Sequence, residues 1–157
     1  MDSEVIKALQ NQLNVERTNA QKYFYIASAM SNMAYDGFAS FFTKQGQGEL
    51  EHAKLIEDFL VSKRVQPHYD PLPSVSVAFD LRSMTREAAL TETNTTSSLQ
   101  SLYQLCDDLG EYQVCAFLVG LLVEQIEEET WSADLMDLVG RSIEDGWLIL
   151  DAQYANK

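Results

Sequence analysis

All three prolines of the chain fall within seven residues, at Pro67, Pro71 and Pro73. Proline removes a backbone donor and clashes with the preceding helical turn, so helix interruption is concentrated in this one segment. The long stretches on either side are rich in Ala, Leu, Glu and Gln, which favour helix. The sequence therefore predicts two long helical regions joined by one irregular connection.

Turn residues divide each helical region in two, at Asp36-Gly37 and at Gly110. Ser83 is expected to cap the N-terminus of the third helix, and Gly140 to end the fourth. A short amphipathic segment follows at the C-terminus. The predicted helices cover about residues 3–33, 38–64, 83–109, 111–139 and 142–155.

These elements predict an all-α protein. At 157 residues the chain is expected to form one domain, residues 1–157, with a substantial buried core. The connection from about residue 65 to 80 is too long for a hairpin and is interpreted as a crossover. We therefore expect a four-helix bundle with one long crossover between helices two and three, plus a short C-terminal fifth helix.

Side chains that can bind metal recur at a fixed offset of 76 residues between the two halves of the chain. Each half supplies one lone carboxylate and, further along, a pair spaced i, i+3, which lies on one face of a helix. Folded together, the halves would enclose four carboxylates, one imidazole and one amide, a composition that suits two iron ions. The positions are Glu16, Glu49 and His52 in the first half and Glu92, Gln125 and Glu128 in the second.

The overall charge and the termini exclude several classes of protein. A net charge of −13 argues against nucleic acid as a partner, because phosphates need Lys and Arg. No apolar run is long enough to span a membrane, and the acidic N-terminus lacks the features of a secretory signal. Cys106 and Cys115 form neither a C-x-x-C motif nor a disulfide framework. A cytoplasmic location is expected.

Taken together, these motifs resemble the ferritins, specifically the non-haem bacterial type, over essentially the whole chain. Any one of the motifs alone has little specificity, whereas the combination is highly specific. The residues that carry the resemblance are Asn14-Val15-Glu16, Tyr23, Glu49-Leu50-Glu51-His52, Glu92, Glu124-Gln125-Ile126-Glu127-Glu128 and Gly146-Trp147-Leu148.

The resemblance implies a ferroxidase centre that binds two iron ions per chain. Burying several carboxylates without a cation would be very costly, so metal explains what packing alone does not. An exposed acidic helix face is the alternative interpretation. By the resemblance, Glu16, Glu49 and His52 hold the first iron, while Glu92 and Glu128 hold the second, with Glu49 bridging both and Gln125 nearby.

Tyr23 lies two helical turns after Glu16 and hence on the same helix face. The resemblance implies a catalytic phenol beside the irons, which hydrogen-bonds a ligand or supplies an electron. The alternative is an aromatic residue that only packs in the core. Tyr25 matches no such position.

The resemblance bears on two further sites, a third iron site and a haem site. Glu124 and Glu127 match residues that help to bind a third iron in bacterial ferritins, but Gly48 replaces a further glutamate. The third site is therefore expected to be weak or absent, and the alternative is solvated helix charge. The sequence Leu50-Glu51 replaces the haem-binding methionine region of bacterioferritins, so no haem is expected. His68 is expected to lie on the surface without a ligand role.

The resulting hypothesis is an iron-storage ferritin with ferroxidase activity, using dioxygen or peroxide as the oxidant. The resemblance implies a homo-oligomeric cage of 24 subunits that holds a ferric oxide mineral. One alternative is a non-storage oxidase or peroxidase of the rubrerythrin type, which would need a cysteine-ligated iron site that Cys106 and Cys115 do not form. Another is a mineral-nucleating shell without ferroxidase activity. A smaller DNA-protecting cage is disfavoured by the negative charge and by ligands that fall within one bundle.

Overall fold

The computed structural model describes all 157 residues and contains five α-helices and no strand. The first four helices form a bundle of two hairpins, and the fifth is a short C-terminal helix, which confirms the expected fold class. No helix combines the length and the apolar character needed to cross a membrane. The helices are α1 (Ser3–Asn32), α2 (Asp36–Ser62), α3 (Leu81–Asp108), α4 (Tyr112–Arg141) and α5 (Glu144–Tyr154).

The crossover between α2 and α3 is fastened to α1 by one buried side chain. Asn14 Nδ2 donates to the carbonyl oxygen of His68 at 3.0 Å. Asn14 Oδ1 accepts from the backbone N–H of Asp70 at 2.9 Å and from Arg17 Nη1 at 2.7 Å. His68 itself is exposed and pairs with Asp70, in agreement with its expected surface position. The irregular segment therefore has a defined course although it contains no helix.

Two predicted helix ends are wrong. Ser83 does not cap α3. Asp80 is the N-cap residue: its backbone is extended (φ −150°), and its Oδ1 atom accepts the backbone N–H of Ser83 at 2.8 Å. Gly140 does not end α4, which continues to Arg141. Gly110, in contrast, has φ +71°, the left-handed conformation that the predicted turn after α3 requires.

The apolar core is divided into two clusters, one towards each end of the bundle, with polar residues between them. The i, i+3/i+4 spacing of apolar residues in the four long helices produces both clusters. Phe42, Met84 and Leu135 are fully buried in one cluster, and Leu13 and Leu118 in the other. The buried polar layer between them contains the ligand positions expected from the sequence.

The short helix α5 packs on the N-terminal end of α2. Asp151 Oδ1 accepts the backbone N–H of Phe38 at 2.8 Å, which satisfies one of the free N–H groups of that helix end. Gly37 allows this approach, because a Cβ atom there would lie 1.9 Å from the carbonyl oxygen of Asp151. Tyr154 adds aromatic contacts with Phe38 and Phe41, whose ring centroids lie 5.4 and 4.9 Å away.

Candidate metal centre

The six repeated positions come from all four long helices, and five of the six are buried. α1 supplies one carboxylate and α3 another, while α2 and α4 each supply an i, i+3 pair. Glu128 is half-buried. In the first half, ligand atoms of Glu16, Glu49 and His52 all lie within 4.8 Å of one another, close enough to hold one metal ion.

Two oxygens in this group have no hydrogen-bond partner although they are buried, Glu16 Oε2 and Glu49 Oε2. Leaving a buried carboxylate oxygen without a partner costs about 1–3 kcal/mol, and more when the group is charged. A cation between the two carboxylates would satisfy both oxygens at once. The donor set of carboxylates and an imidazole fits iron.

In the second half, two donors converge on the carboxylate of Glu92. The hydroxyl of Tyr23 donates to Glu92 Oε1, and Gln125 Nε2 donates to Glu92 Oε2 at 3.1 Å. Gln125 also reaches the backbone carbonyl oxygen of Glu92 at 3.3 Å. On the next turn of α4, Trp131 Nε1 donates to Glu128 Oε2. Glu92 and Glu128 are thus each oriented by a neighbouring aromatic residue.

Burial raises the pKa of the four carboxyl groups at the repeated positions. The pKa of Glu16 lies well above its ordinary value, first because of burial and then because of the charge on Glu49. Burial and neighbouring carboxylates raise the pKa of Glu49 to about 8. The pKa of Glu92 is raised to about 7 and that of Glu128 is also raised, again mainly by burial. A bound divalent cation would oppose these effects and favour the ionised ligands.

Tyr23 is fully buried and serves two structural purposes. Its ring packs against Phe42 and Trp131, with centroids 5.7 and 6.0 Å away. Burial, followed by the charge on Glu92, raises the pKa of its hydroxyl well above the ordinary value. The hydroxyl is therefore a stable donor to Glu92. Tyr23 is both a core aromatic residue and a direct neighbour of a candidate ligand.

His52 is placed between two carboxylates. Its Nδ1 atom lies 3.5 Å from Glu49 Oε2, on the side of the candidate metal position. Its Nε2 atom lies 2.7 Å from Glu124 Oε2. A carboxylate that accepts a hydrogen bond from one ring nitrogen leaves the other free to bind metal, an arrangement common at metal-binding histidines.

The residues expected at a third iron site are not gathered into one group. Glu124 is 54% exposed and is engaged by His52. Glu127 is exposed on α4 and makes no side-chain hydrogen bond. A Cβ atom at Gly48 would meet nothing within 4 Å, so this position offers open space where a further ligand would be needed.

Several residues that touch candidate ligands are not predicted from the sequence, and two of them contact candidate carboxylates. Gln12 Nε2 donates to Glu16 Oε1 at 2.7 Å, and Trp131 bonds Glu128 as described above. Both lie one helical turn from the ligand that they contact, at i−4 and i+3, so helix periodicity could have identified them. Neither recurs at the 76-residue offset, where Gln12 corresponds to Ala88 and Trp131 to Leu55, and neither belongs to the motifs that carry the resemblance.

A four-helix bundle with one long crossover and inward-facing carboxylate and histidine ligands defines the class of ferritin-like metal proteins. In agreement with this, the family model described as "Ferritin-like domain", of the family Ferritin, matches residues 6–142. The chain belongs to the ferritin family.

Curated relatives and solved structures agree with this assignment. The chain is 27% identical to a bacterial non-heme ferritin of Staphylococcus epidermidis over 146 residues, 92% of this chain and 88% of that protein. It is 28% identical to a bacterial non-heme ferritin of Staphylococcus saprophyticus over 146 residues. The fold matches an open pore ferritin of Archaeoglobus fulgidus with a TM-score of 0.95 and 23% identity, covering 100% of this chain and 98% of that chain. Family and fold together support an iron-storage ferritin in general.

Proposed function

We propose that this protein is an iron-storage ferritin that oxidises Fe(II) at a two-iron ferroxidase centre within each chain. The substrate positions are those expected from the sequence: one iron at Glu16, Glu49 and His52, the other at Glu92 and Glu128. We propose Glu49 as the bridging ligand, because it lies beside Glu16 and His52 and is also near enough to Glu92 and Glu128 for their charges to raise its pKa.

One observation supports this proposal above all: the two partnerless buried oxygens of Glu16 and Glu49 beside His52. One other buried side-chain oxygen, Gln21 Oε1, also lacks a partner, but only the oxygens of Glu16 and Glu49 lie together beside a histidine, and a structural role alone leaves this pair of acceptors unexplained. Cys106 and Cys115 support a ferritin over a rubrerythrin-type oxidase, because both are buried in an apolar cluster without any histidine.

In the proposed reaction, each of the two Fe(II) ions gives up one electron and the oxidant accepts both. Dioxygen is the proposed oxidant, with peroxide as the other candidate. The protein acts as a two-metal template that holds both ions at a fixed separation. Tyr23 and Gln125 hold the carboxylate of Glu92 in place through their hydrogen bonds to its two oxygens. Fe(III) then leaves the centre, which frees it for another turnover.

For storage, we propose that chains assemble into a closed homo-oligomer of 24 subunits in the cytoplasm, with ferric oxide deposited inside. The net charge of −13 would attract Fe(II) towards such a shell and disfavours nucleic acid as a partner. A third iron at Glu124 and Glu127 would be weak, because Gly48 offers no ligand.

The test is the rate of Fe(II) oxidation in air by the assembled protein. Glu49→Ala and Glu92→Ala are each expected to slow the rapid phase at least about 10-fold, because each removes a ligand. Glu51→Ala is the matched control, since Glu51 neighbours Glu49 on α2 but is exposed. If both ligand variants oxidise iron as fast as the Glu51→Ala protein, the assigned centre is wrong.

A further inference from the structure

We propose that Gln12 is a positioning residue that restricts Glu16 to binding metal through one oxygen, Oε2. The inference rests on the proposed centre and deepens it. Gln12 is 1% exposed and lies one turn before Glu16 on α1. Its Nε2 atom donates to Glu16 Oε1 at 2.7 Å. The other oxygen, Oε2, is one of the buried atoms without a partner.

The side-chain amide of Gln12 is itself oriented from α3. The hydroxyl of Ser98 donates to Gln12 Oε1 at 2.6 Å, so the amide nitrogen is turned towards Glu16. With the amide reversed, its oxygen would face the carboxylate oxygen of Glu16 and the two acceptors would repel each other. The three groups form a directed chain, from the Ser98 hydroxyl through the amide to the carboxylate. Gln12 is thus held by two helices rather than by packing alone.

Engaging one oxygen changes what Glu16 can do as a ligand. A carboxylate that chelates with both oxygens occupies two coordination positions, whereas one that binds through a single oxygen occupies one. While Gln12 holds Oε1, chelation would require that hydrogen bond to break inside the core, at the cost of an unsatisfied buried donor. One coordination position on the first metal is therefore kept free for water or an oxidant.

A second buried amide on the same helix provides a natural comparison. Asn19 Nδ2 donates to Thr95 Oγ1 at 2.9 Å and so also joins α1 to α3. Asn19 is 6% exposed, but its hydrogen bond ends on a hydroxyl rather than on a candidate ligand. Substitution of Asn19 removes a similar buried contact without touching Glu16.

The experiment uses Co(II) under anaerobic conditions as the probe, with visible spectra recorded at one Co(II) per chain. Cobalt absorption bands are stronger at low coordination number than in six-coordinate sites. We expect Gln12→Met, which keeps the length of the side chain and removes the donor, to give bands several-fold weaker per bound ion than the parent. Asn19→Leu should keep the parent spectrum even if it melts at a lower temperature.

The outcomes separate this inference from the proposed function. If Gln12→Met binds Co(II) with the parent spectrum, Gln12 does not restrict Glu16 and the inference is wrong. If Glu49→Ala also binds Co(II) with the parent spectrum, the centre itself is misplaced. Should Gln12→Met fail to fold, Ser98→Ala replaces it, because it releases the amide while leaving Gln12 in position. The Co(II) absorption of Ser98→Ala should also be weaker per bound ion than that of the parent. An absorption equal to that of the parent would overturn the inference.

Discussion

The carboxyl groups at the candidate centre are buried in an environment that disfavours their charged forms. Glu16 and Glu92 are almost completely removed from solvent, and no lysine or arginine side chain bonds to either of them. Their hydrogen-bond donors are neutral groups from Gln12, Tyr23 and Gln125. Neutral donors orient a carboxylate without neutralising it, so its charge remains available to a cation. This choice of partners distinguishes a binding site from a structural ion pair.

The first residue-scale prediction concerns pH and the iron-free protein. The pKa values of Glu49 and Glu92 in the fold are about 8 and 7, against an ordinary value of 4.5. Above pH 4.5 the unfolded chain loses these protons before the folded chain does, so stability should fall as pH rises from about 4.5 to 8. Thermal melts of chelator-treated protein across this range measure the slope.

The double variant Glu49→Gln/Glu92→Gln is the control for this slope, because its amides do not ionise. Its melting temperature should fall less between pH 5 and 8 than that of the parent, by about 3 °C or more. Adding Co(II) to the parent should also restore stability at pH 8. If the melting temperatures of the parent and the double variant depend equally on pH, burial does not raise the pKa values of these two carboxyl groups.

A second residue-scale prediction concerns Tyr23. Replacement by Phe keeps the ring contacts with Phe42 and Trp131 but removes the donor to Glu92. The free energy of unfolding should fall by about 1–3 kcal/mol, because a buried acceptor loses its partner. Fe(II) oxidation should also slow, since Glu92 is no longer held in one orientation. Stopped-flow absorbance and denaturant unfolding measure the two effects.

Tyr25→Phe is the matched control, because Tyr25 lies on the same helix but is exposed. It should leave both the rate and the stability close to those of the parent. If the Tyr23→Phe and Tyr25→Phe proteins oxidise Fe(II) equally fast, the hydroxyl of Tyr23 has no role in oxidation and Tyr23 only packs in the core.

At the scale of elements, two glycines on α2 predict opposite effects of the same substitution. A Cβ atom at Gly48 would meet nothing within 4 Å, so Gly48→Ala should stabilise the helix by about 0.5–1 kcal/mol. A Cβ atom at Gly46 would lie 2.7 Å from the ring of Phe24, so Gly46→Ala should destabilise by about 1–3 kcal/mol. Denaturant unfolding measures the change in the free energy of unfolding for each variant. If both substitutions change it in the same direction, the packing described for α2 is wrong.

The elements also show what could be predicted from the sequence. Helix periodicity and the confined prolines located every helix to within two residues, because both signals are local. The cap at Asp80 was missed, because Ser83 and Asp80 are both good caps and only the extended backbone at Asp80 decides between them. The 76-residue repeat identified Glu16, Glu49 and His52, whose ligand atoms lie within 4.8 Å of one another, and Glu92 and Gln125, which are hydrogen-bonded to each other. It could not identify Gln12, whose role depends on the direction of one amide set by Ser98 on another helix.

At the scale of the whole molecule, a single chain leaves large apolar side chains in solvent. Ile143, Leu148 and Ile149 near the C-terminus are each more than half exposed. Exposed apolar patches on soluble proteins mark interaction sites. The proposed shell would bury such side chains, and the native mass should therefore be many times the 17.7 kDa of one chain.

The corresponding prediction is that Ile149→Glu lowers the native mass, because a charge replaces an apolar side chain that is 63% exposed on α5. Size-exclusion chromatography with light scattering measures the effect. Gln100→Glu adds the same charge at an exposed position of α3, outside α5, and should leave the mass unchanged. If Ile149→Glu assembles like the Gln100→Glu protein, contacts between chains do not involve this side of α5.

The docking of α5 on α2 has a consequence for the order in which the chain acquires its structure. The carboxylate that accepts the Phe38 N–H belongs to Asp151, 113 residues further along. During synthesis the α1–α2 hairpin is therefore made long before the residue that completes its exposed helix end. In any chain that lacks α5, the N-terminal end of α2 should fray at Phe38. Docking of α5, the last helix to be synthesised, should then stabilise this end of the α1–α2 hairpin. Amide hydrogen exchange at Phe38 would then report that the entire chain has been made and folded.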